Sequence, residues 1–93
     1  MIKSFRDVAT EAVWQRRFRK GIPNDVVRVA YRKLFQLHNA RMLDDLRAPP
    51  GNRLEALSGD RAGQHSVRVN DQWRICFRWE NGDAHDVEIV DYH

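Results

Sequence analysis

Two kinds of hydrophobic spacing divide the chain. From residue 67 onward apolar and polar positions alternate: Val67 and Val69 among Ser66, Arg68 and Asn70, then Trp73, Ile75, Phe77 and Trp79 among Arg74, Cys76, Arg78 and Glu80. A period of two predicts strands with one face on a core and the other toward water. Earlier the spacing is helical. Val8/Ala12, Ala9/Val13 and Trp14/Phe18 are i,i+4 pairs, and Val26, Val27, Ala30, Tyr31, Leu34, Leu37 and His38 recur at intervals of three and four. The first set predicts a helix over residues 8–18, with Asp7 as N-cap, cations of residues 16–20 at its negative end and Gly21 closing it. The second predicts a helix with Pro23 in its first turn, running to Asn39. So short a connection implies an antiparallel helical hairpin.

Residues 2–5 read as a short edge strand, and 42–52 as a linker anchored by Leu43 and Leu46 and punctuated by Pro49-Pro50-Gly51-Asn52. Residues 53–57 read as a strand and 58–63 as a glycine-flanked loop. Register follows from matching apolar faces. Residue numbers summing to 142 set Val69 opposite Trp73, Val67 opposite Ile75 and Arg68 opposite Arg74. In the last hairpin Asn81-Gly82 suggests a two-residue turn, but that register sets Phe77 against Asp86. A three-residue turn over 81–83 pairs Phe77 with Val87, Ile75 with Ile89 and Arg78 with Asp86. A one-residue slip turns every side chain over, so the apolar match selects the three-residue turn. The predicted fold is α+β, a helical hairpin packed on a mostly antiparallel sheet of four or five strands, as a single domain over residues 1–93.

Composition narrows the classes. The hydrophobic and charged fractions, 42% and 31%, belong to a folded chain with one modest core rather than a disordered one. No apolar run approaches the roughly 18 residues of a membrane span, and no apolar h-region follows Met1. A lone Cys76 excludes an internal disulfide and suits a reducing compartment, so a cytoplasmic location without a membrane partner is expected. His38, His65 and His85 with Cys76 lack metal-ligand spacing, so neither metal nor cofactor is expected. His38 reads as a helix-boundary residue, His65 and His85 as solvent-facing, and Trp14, Trp73 and Trp79 as core.

The net charge of +3 conceals a split. Residues 1–41 carry ten Lys/Arg against three acids; residues 42–93 carry six arginines against ten acids. That suits a polyanion on one side and a basic partner on the other, or a solvated helical pair on an acidic sheet. Arg68 facing Arg74 on the open face is repulsive unless a carboxylate or an anion lies between them. Glu88 could serve structurally and a phosphate functionally.

The residues then become familiar. Met-Ile-Lys-Ser-Phe at the start, Pro49-Pro50-Gly51-Asn52-Arg53-Leu54, Leu57-Ser58-Gly59-Asp60-Arg61, Trp73-Arg74-Ile75 and the terminal Asp91-Tyr92-His93 resemble the HigB branch of the RelE/ParE toxins, in particular the GraT-like members. The resemblance runs in order along essentially the whole chain. It implies a toxin of a type II toxin–antitoxin system: a ribosome-dependent mRNA endonuclease that inhibits translation and growth. It also implies a HigA-like helix-turn-helix antitoxin, with operator DNA bound only through the toxin–antitoxin complex.

RNA cleaves itself when a base takes the 2′-hydroxyl proton, the phosphorane charge is stabilised and an acid protonates the leaving oxygen; no metal is needed. Arg68 and Arg74 could clamp the phosphate bidentately. His93 suits acid or base work, Tyr92 stacking on a base or donation to the phosphate, and Asp91 orientation of His93 or of a 2′-hydroxyl. Arg53 and Arg61 are candidates for RNA contact, with solvated loop charges as the alternative. Arg16, Arg17 and Lys20 are either a solvated helix end or a patch for RNA or an acidic antitoxin segment. Where related toxins carry Leu-His-Pro-Leu-Lys-Gly-Asp-Arg, Glu55 replaces the histidine and Ser58 the lysine. Glu55 could act as base but brings no positive charge, which predicts weak cleavage. Glu55, Asp91 and His93 all remain candidates for base and acid. Two other readings stand beside this one: a ParE-like toxin that inhibits DNA gyrase by protein–protein binding, and a plain nucleic-acid-binding module.

Overall fold

Val67, Ile75, Phe77, Val87 and Ile89 all leave water on one face of a sheet, and two helices cover them. The computed structural model describes residues 1–17 and 21–91. Its order is α1 (Val8–Trp14), α2 (Asn24–Asn39), β1 (Glu55–Ala56), β2 (Gln64–Arg68), β3 (Trp73–Glu80) and β4 (Asp83–Asp91). Short 3-10 turns at Leu43–Arg47 and Pro50–Asn52 lead from α2 to β1, and one at Gly59–Arg61 joins β1 to β2. The sheet is antiparallel in the order β1-β2-β3-β4. The expected edge strand reduces to two isolated parallel bridges along β4, Ile2 to Ala84 and Phe5 to Val87.

On α2, Val26, Ala30, Leu34 and Leu37 are buried, as their spacing predicts, and Leu46 pins the following turn into the same core. The helix starts one residue late, at Asn24, with Pro23 as its N-cap and accepting from Val27 N–H at 2.9 Å. His38 Nδ1 accepts from Ile2 N–H at 3.1 Å, and its ring lies 5.1 Å from that of Trp14, so this boundary histidine ties the N-terminus to both helices.

The first helix is shorter than its apolar pattern. It stops at Trp14 because Arg16 turns left-handed, φ 60. Arg16 N–H then closes on Val13 O at 3.0 Å and Arg17 N–H on Ala12 O at 2.8 Å, a Schellman closure without glycine. The link to α2 therefore spans residues 15–23; Phe18 and Lys20 lie outside the described residues. Val8, expected in the stripe, is exposed, whereas Thr10 is fully buried. Thr10 N–H donates to Asp7, the N-cap, at 2.8 Å, and its hydroxyl accepts from Ile89 N–H at 2.9 Å. Thr10→Val keeps the shape but orphans that buried N–H, so a loss of about 1–3 kcal/mol is expected in urea denaturation, against far less for Thr10→Ser.

β2 and β3 pair in the expected register, Val67 with Ile75 and Arg68 with Arg74. The last hairpin corrects the expectation. Its turn is the two-residue Asn81-Gly82, both at positive φ (52 and 80), and Glu80 pairs with Asp83, Trp79 with Ala84 and Arg78 with His85. Beyond Phe77 the register has shifted by one, and Cys76 pairs with Glu88 and Ile75 with Ile89. A bulge absorbs the extra residue at Asp86, φ 52, leaving Val87 and Ile89 on the core face. Turn chemistry and apolar matching each govern one half of the hairpin. Arg78 still reaches Asp86, Nε to Oδ2 2.9 Å.

His65 is not solvent-facing as expected. It pairs with Phe77, its ring stacks there at 6.3 Å, and its Nδ1 is buried without a hydrogen-bond partner among the described residues. β1 is two residues long rather than five, since Arg53 adopts the left-handed region (φ 44) just before it.

Candidate functional site

Pairing across the sheet sets Glu55, Ser66, Cys76 and Glu88 in one row of the face away from the helices, with Arg68, Arg74 and Val90 in the next. The middle of this face is closed rather than open: Ser66 and Cys76 are fully buried. Burial pushes the Cys76 thiol up; Glu88 and Glu55 add to the rise, while Arg61 and Arg74 oppose it.

Arg74 is the best-held side chain of this face, its side chain 12% exposed. Nε donates to Ser66 Oγ at 2.7 Å, and Nη2 to Arg53 O at 2.8 Å and, more weakly, to Ser66 O at 3.5 Å. Glu55 Oε1 stands 3.7 Å from the same Nη2. Nη1 has no hydrogen-bond partner among the described residues, so the guanidinium offers one nitrogen rather than the two-pronged clamp expected. Its partners also differ from expectation. Glu88 does not lie between the facing arginines; it accepts from Arg61 Nη1 at 3.2 Å and sits 3.7 Å from Arg6 Nε. Arg68 pairs with Asp71 instead.

The structure thus brings together Arg74, Glu55, Arg53 and Arg68. Arg61 joins the same face one row away through Glu88, with Gln64 Oε1 as a second acceptor at 3.1 Å. Asp91 is placed elsewhere. It pairs with Trp73, on the helix-covered face, and accepts from Gln72 Nε2 at 3.1 Å on both oxygens. Alternation along β4 forces this, because Asp91 shares a side with Ile89 and not with Val90. Tyr92 and His93 lie outside the described residues.

Arg16 and Arg17 also sit apart from Arg74. With Arg28 and Arg32 they rim a cleft of about 560 Å³ between the helices, floored by Val13, Val27 and Tyr31. The Arg16 guanidinium lies 4.5 Å above the Tyr31 ring. Lys20 falls outside the described residues. Among those residues no group of three His, Cys, Asp or Glu could hold a metal ion, and no helix is long and apolar enough to cross a membrane.

Sequence reasoning missed three supporting residues. Ser66 was within reach: the register sets it diagonal to Arg74, two positions along from the facing Arg68. Asn52 and Lys33 carried no such signal, since their bond joins α2 to a loop 19 residues away. Partial burial pushes the Lys33 ammonium down, with Arg32 and Arg68 adding to the shift, so a third cation stands near Arg68.

Comparison with known proteins fixes the family. Residues 3–93 match the model for the RelE-like toxin HigB of type II toxin–antitoxin systems. The chain belongs to the HigB-like toxin family. One relative of this toxin is the Toxin HigB-1 of Vibrio cholerae, 46% identical over 63 residues, which are 68% of this chain and 66% of that protein. Another is the Endoribonuclease HigB of Proteus vulgaris, 35% identical over the whole of both chains. The fold is that of a chain in the YoeB-YefM complex from Staphylococcus aureus, with a TM-score of 0.61 over all of this chain and 98% of that one. At 14% identity that likeness speaks for the α+β fold alone. A HigB-like toxin has an antitoxin as its partner.

Proposed function

We propose that this toxin is an endoribonuclease that cuts mRNA on the ribosome, and so stops translation and growth until an antitoxin neutralises it. One observation carries the reading: Arg74 is held by Ser66 and Arg53 with Nη1 left over, beside the exposed carboxylate of Glu55. In the reaction a 2′-hydroxyl attacks its own phosphate. Glu55 takes the proton, Arg74 Nη1 meets the charge gathering on the phosphorane oxygen, and the 5′-oxygen leaves with a proton. This chemistry asks for no metal. His93 is the proposed acid, with Tyr92 stacking on a base; Asp91, on the other side of the sheet, holds the strand end. Arg68, Arg53 and Arg61 meet neighbouring phosphates, and Arg16, Arg17 and Lys20 bind RNA away from the cut. The full-length kinship with a protein named Endoribonuclease HigB supports this reading. The partner is a HigA-like helix-turn-helix antitoxin, and operator DNA is bound only through the complex.

Primer extension on mRNA from cells briefly expressing the toxin tests it. Discrete new 5′ ends inside translated frames are expected, lost with Glu55→Gln and in a chain lacking residues 92–93. Intact messages during continued growth arrest would overturn it and direct attention to gyrase.

A further inference from the structure

Arg74 is held from behind by a carbonyl, and one buried side chain fixes the loop that presents this carbonyl. Arg53 O accepts from Arg74 Nη2 at 2.8 Å while Arg53 occupies the left-handed region, φ 44, which a side chain disfavours. The residue before it, Asn52, is fully buried. Its amide nitrogen lies 3.0 Å from Gln36 Oε1, 3.1 Å from Leu46 O and 3.3 Å from Ala48 O, two protons shared among three acceptors. Its Oδ1 accepts from Lys33 Nζ. The Asn52 and Arg53 N–H groups close on Pro49 O (2.9 Å) and Pro50 O (3.2 Å). One side chain thus ties residues 46–53 to α2 through Gln36 and Lys33, and the last carbonyl of that segment is the one Arg74 uses. A satisfied buried polar group of this kind fixes position, because any shift of the loop leaves several groups unpaired at once.

We propose that Asn52 is a positioning residue for Arg74: by locking the 46–53 loop it holds the Arg53 carbonyl on Nη2 and leaves Nη1 as the nitrogen offered to the scissile phosphate. The proposal rests on the reading that Arg74 meets that phosphate. Ser66 holds the guanidinium at Nε and Asn52, through the Arg53 carbonyl, holds it at Nη2, and two anchor points fix a planar group. With the second anchor lost the whole plane can swing about the side-chain bonds that carry it and take Nη1 away from the phosphate.

Two readouts on the full chain test this. On mRNA-programmed ribosomes, Asn52→Ala is expected to lower kcat roughly ten- to a hundredfold with KM within about twofold. Adding it to Arg74→Ala should cost nothing more, since it acts through that residue. In nitrogen-15 NMR of the free toxin, the two Arg74 Nη signals should be separate in the wild type and merge in Asn52→Ala. Asn52→Asp serves if the alanine variant does not fold: it keeps the Oδ acceptor for Lys33 but loses the donors to Gln36, Leu46 and Ala48, and the same two changes are expected. A folded variant with unchanged kcat, or a further loss on top of Arg74→Ala, would overturn the proposal. If the wild-type toxin turns over no RNA, the nuclease reading fails and the NMR result decides alone: separate Nη signals persisting in the folded variant refute the positioning role.

Discussion

Arg74→Ala will lower RNA cleavage by about two to three orders of magnitude, the usual cost of removing one preorganised donor from a developing oxyanion. The size follows from how the residue is held. A mobile surface arginine must be ordered as charge develops, whereas Arg74 is already fixed by Ser66 and Arg53 with little exposure. Arg74→Lys should stay near the alanine level. An ammonium has no planar fork, so it cannot occupy the Ser66 and Arg53 acceptors and still present a fixed donor. Single-turnover cleavage on programmed ribosomes reads the effect, and a parallel urea titration reads the fold. The change leaves Ser66 Oγ and Arg53 O without their donor, which costs about 1–2 kcal/mol, well short of unfolding the chain. Cleavage within tenfold of wild type by a folded Arg74→Ala variant would move the chemistry away from this face.

How much of this was legible beforehand differs residue by residue. The pairing of Arg68 with Arg74 could be read because Val67, Ile75 and their neighbours permit one register that buries a single face. The last hairpin could not be read from either signal alone. Asn81-Gly82 dictated the turn and Phe77, Val87 and Ile89 dictated the far end, and a bulge at Asp86 lets both hold. Asp86 has a short polar side chain that tolerates positive φ, but only the conflict between two registers marks its place. The end of α1 was hidden for a related reason: arginine is an unexpected occupant of a left-handed cap. The site divides in the same way. Glu55 meets Arg74 through β1, a strand too short to announce its register. Strict alternation from Ile89 assigns Asp91 to the helix-covered face, a placement legible from the strand pattern alone.

Phe77→Ala should be the most damaging single change to the fold, because the two halves of the last hairpin meet at this residue. The ring is fully buried, stacks on His65 at 6.3 Å and meets Trp79 edge-on at 6.4 Å. Opposite it the bulge spaces out the ladder between the Cys76 and Arg78 pairs, so the side chain rather than backbone pairing closes that point of the sheet. Truncating a buried phenylalanine costs about 3–5 kcal/mol, a large part of the roughly 5–15 kcal/mol by which such domains are stable. Phe77→Leu fills most of the volume and should lose only about 1 kcal/mol. The urea midpoint should therefore fall steeply for alanine and slightly for leucine, with little change in the slope of the transition. A loss below about 1 kcal/mol for alanine would mean that the bulge is stabilised by the turn and Asp86 alone, without the ring packed beneath it.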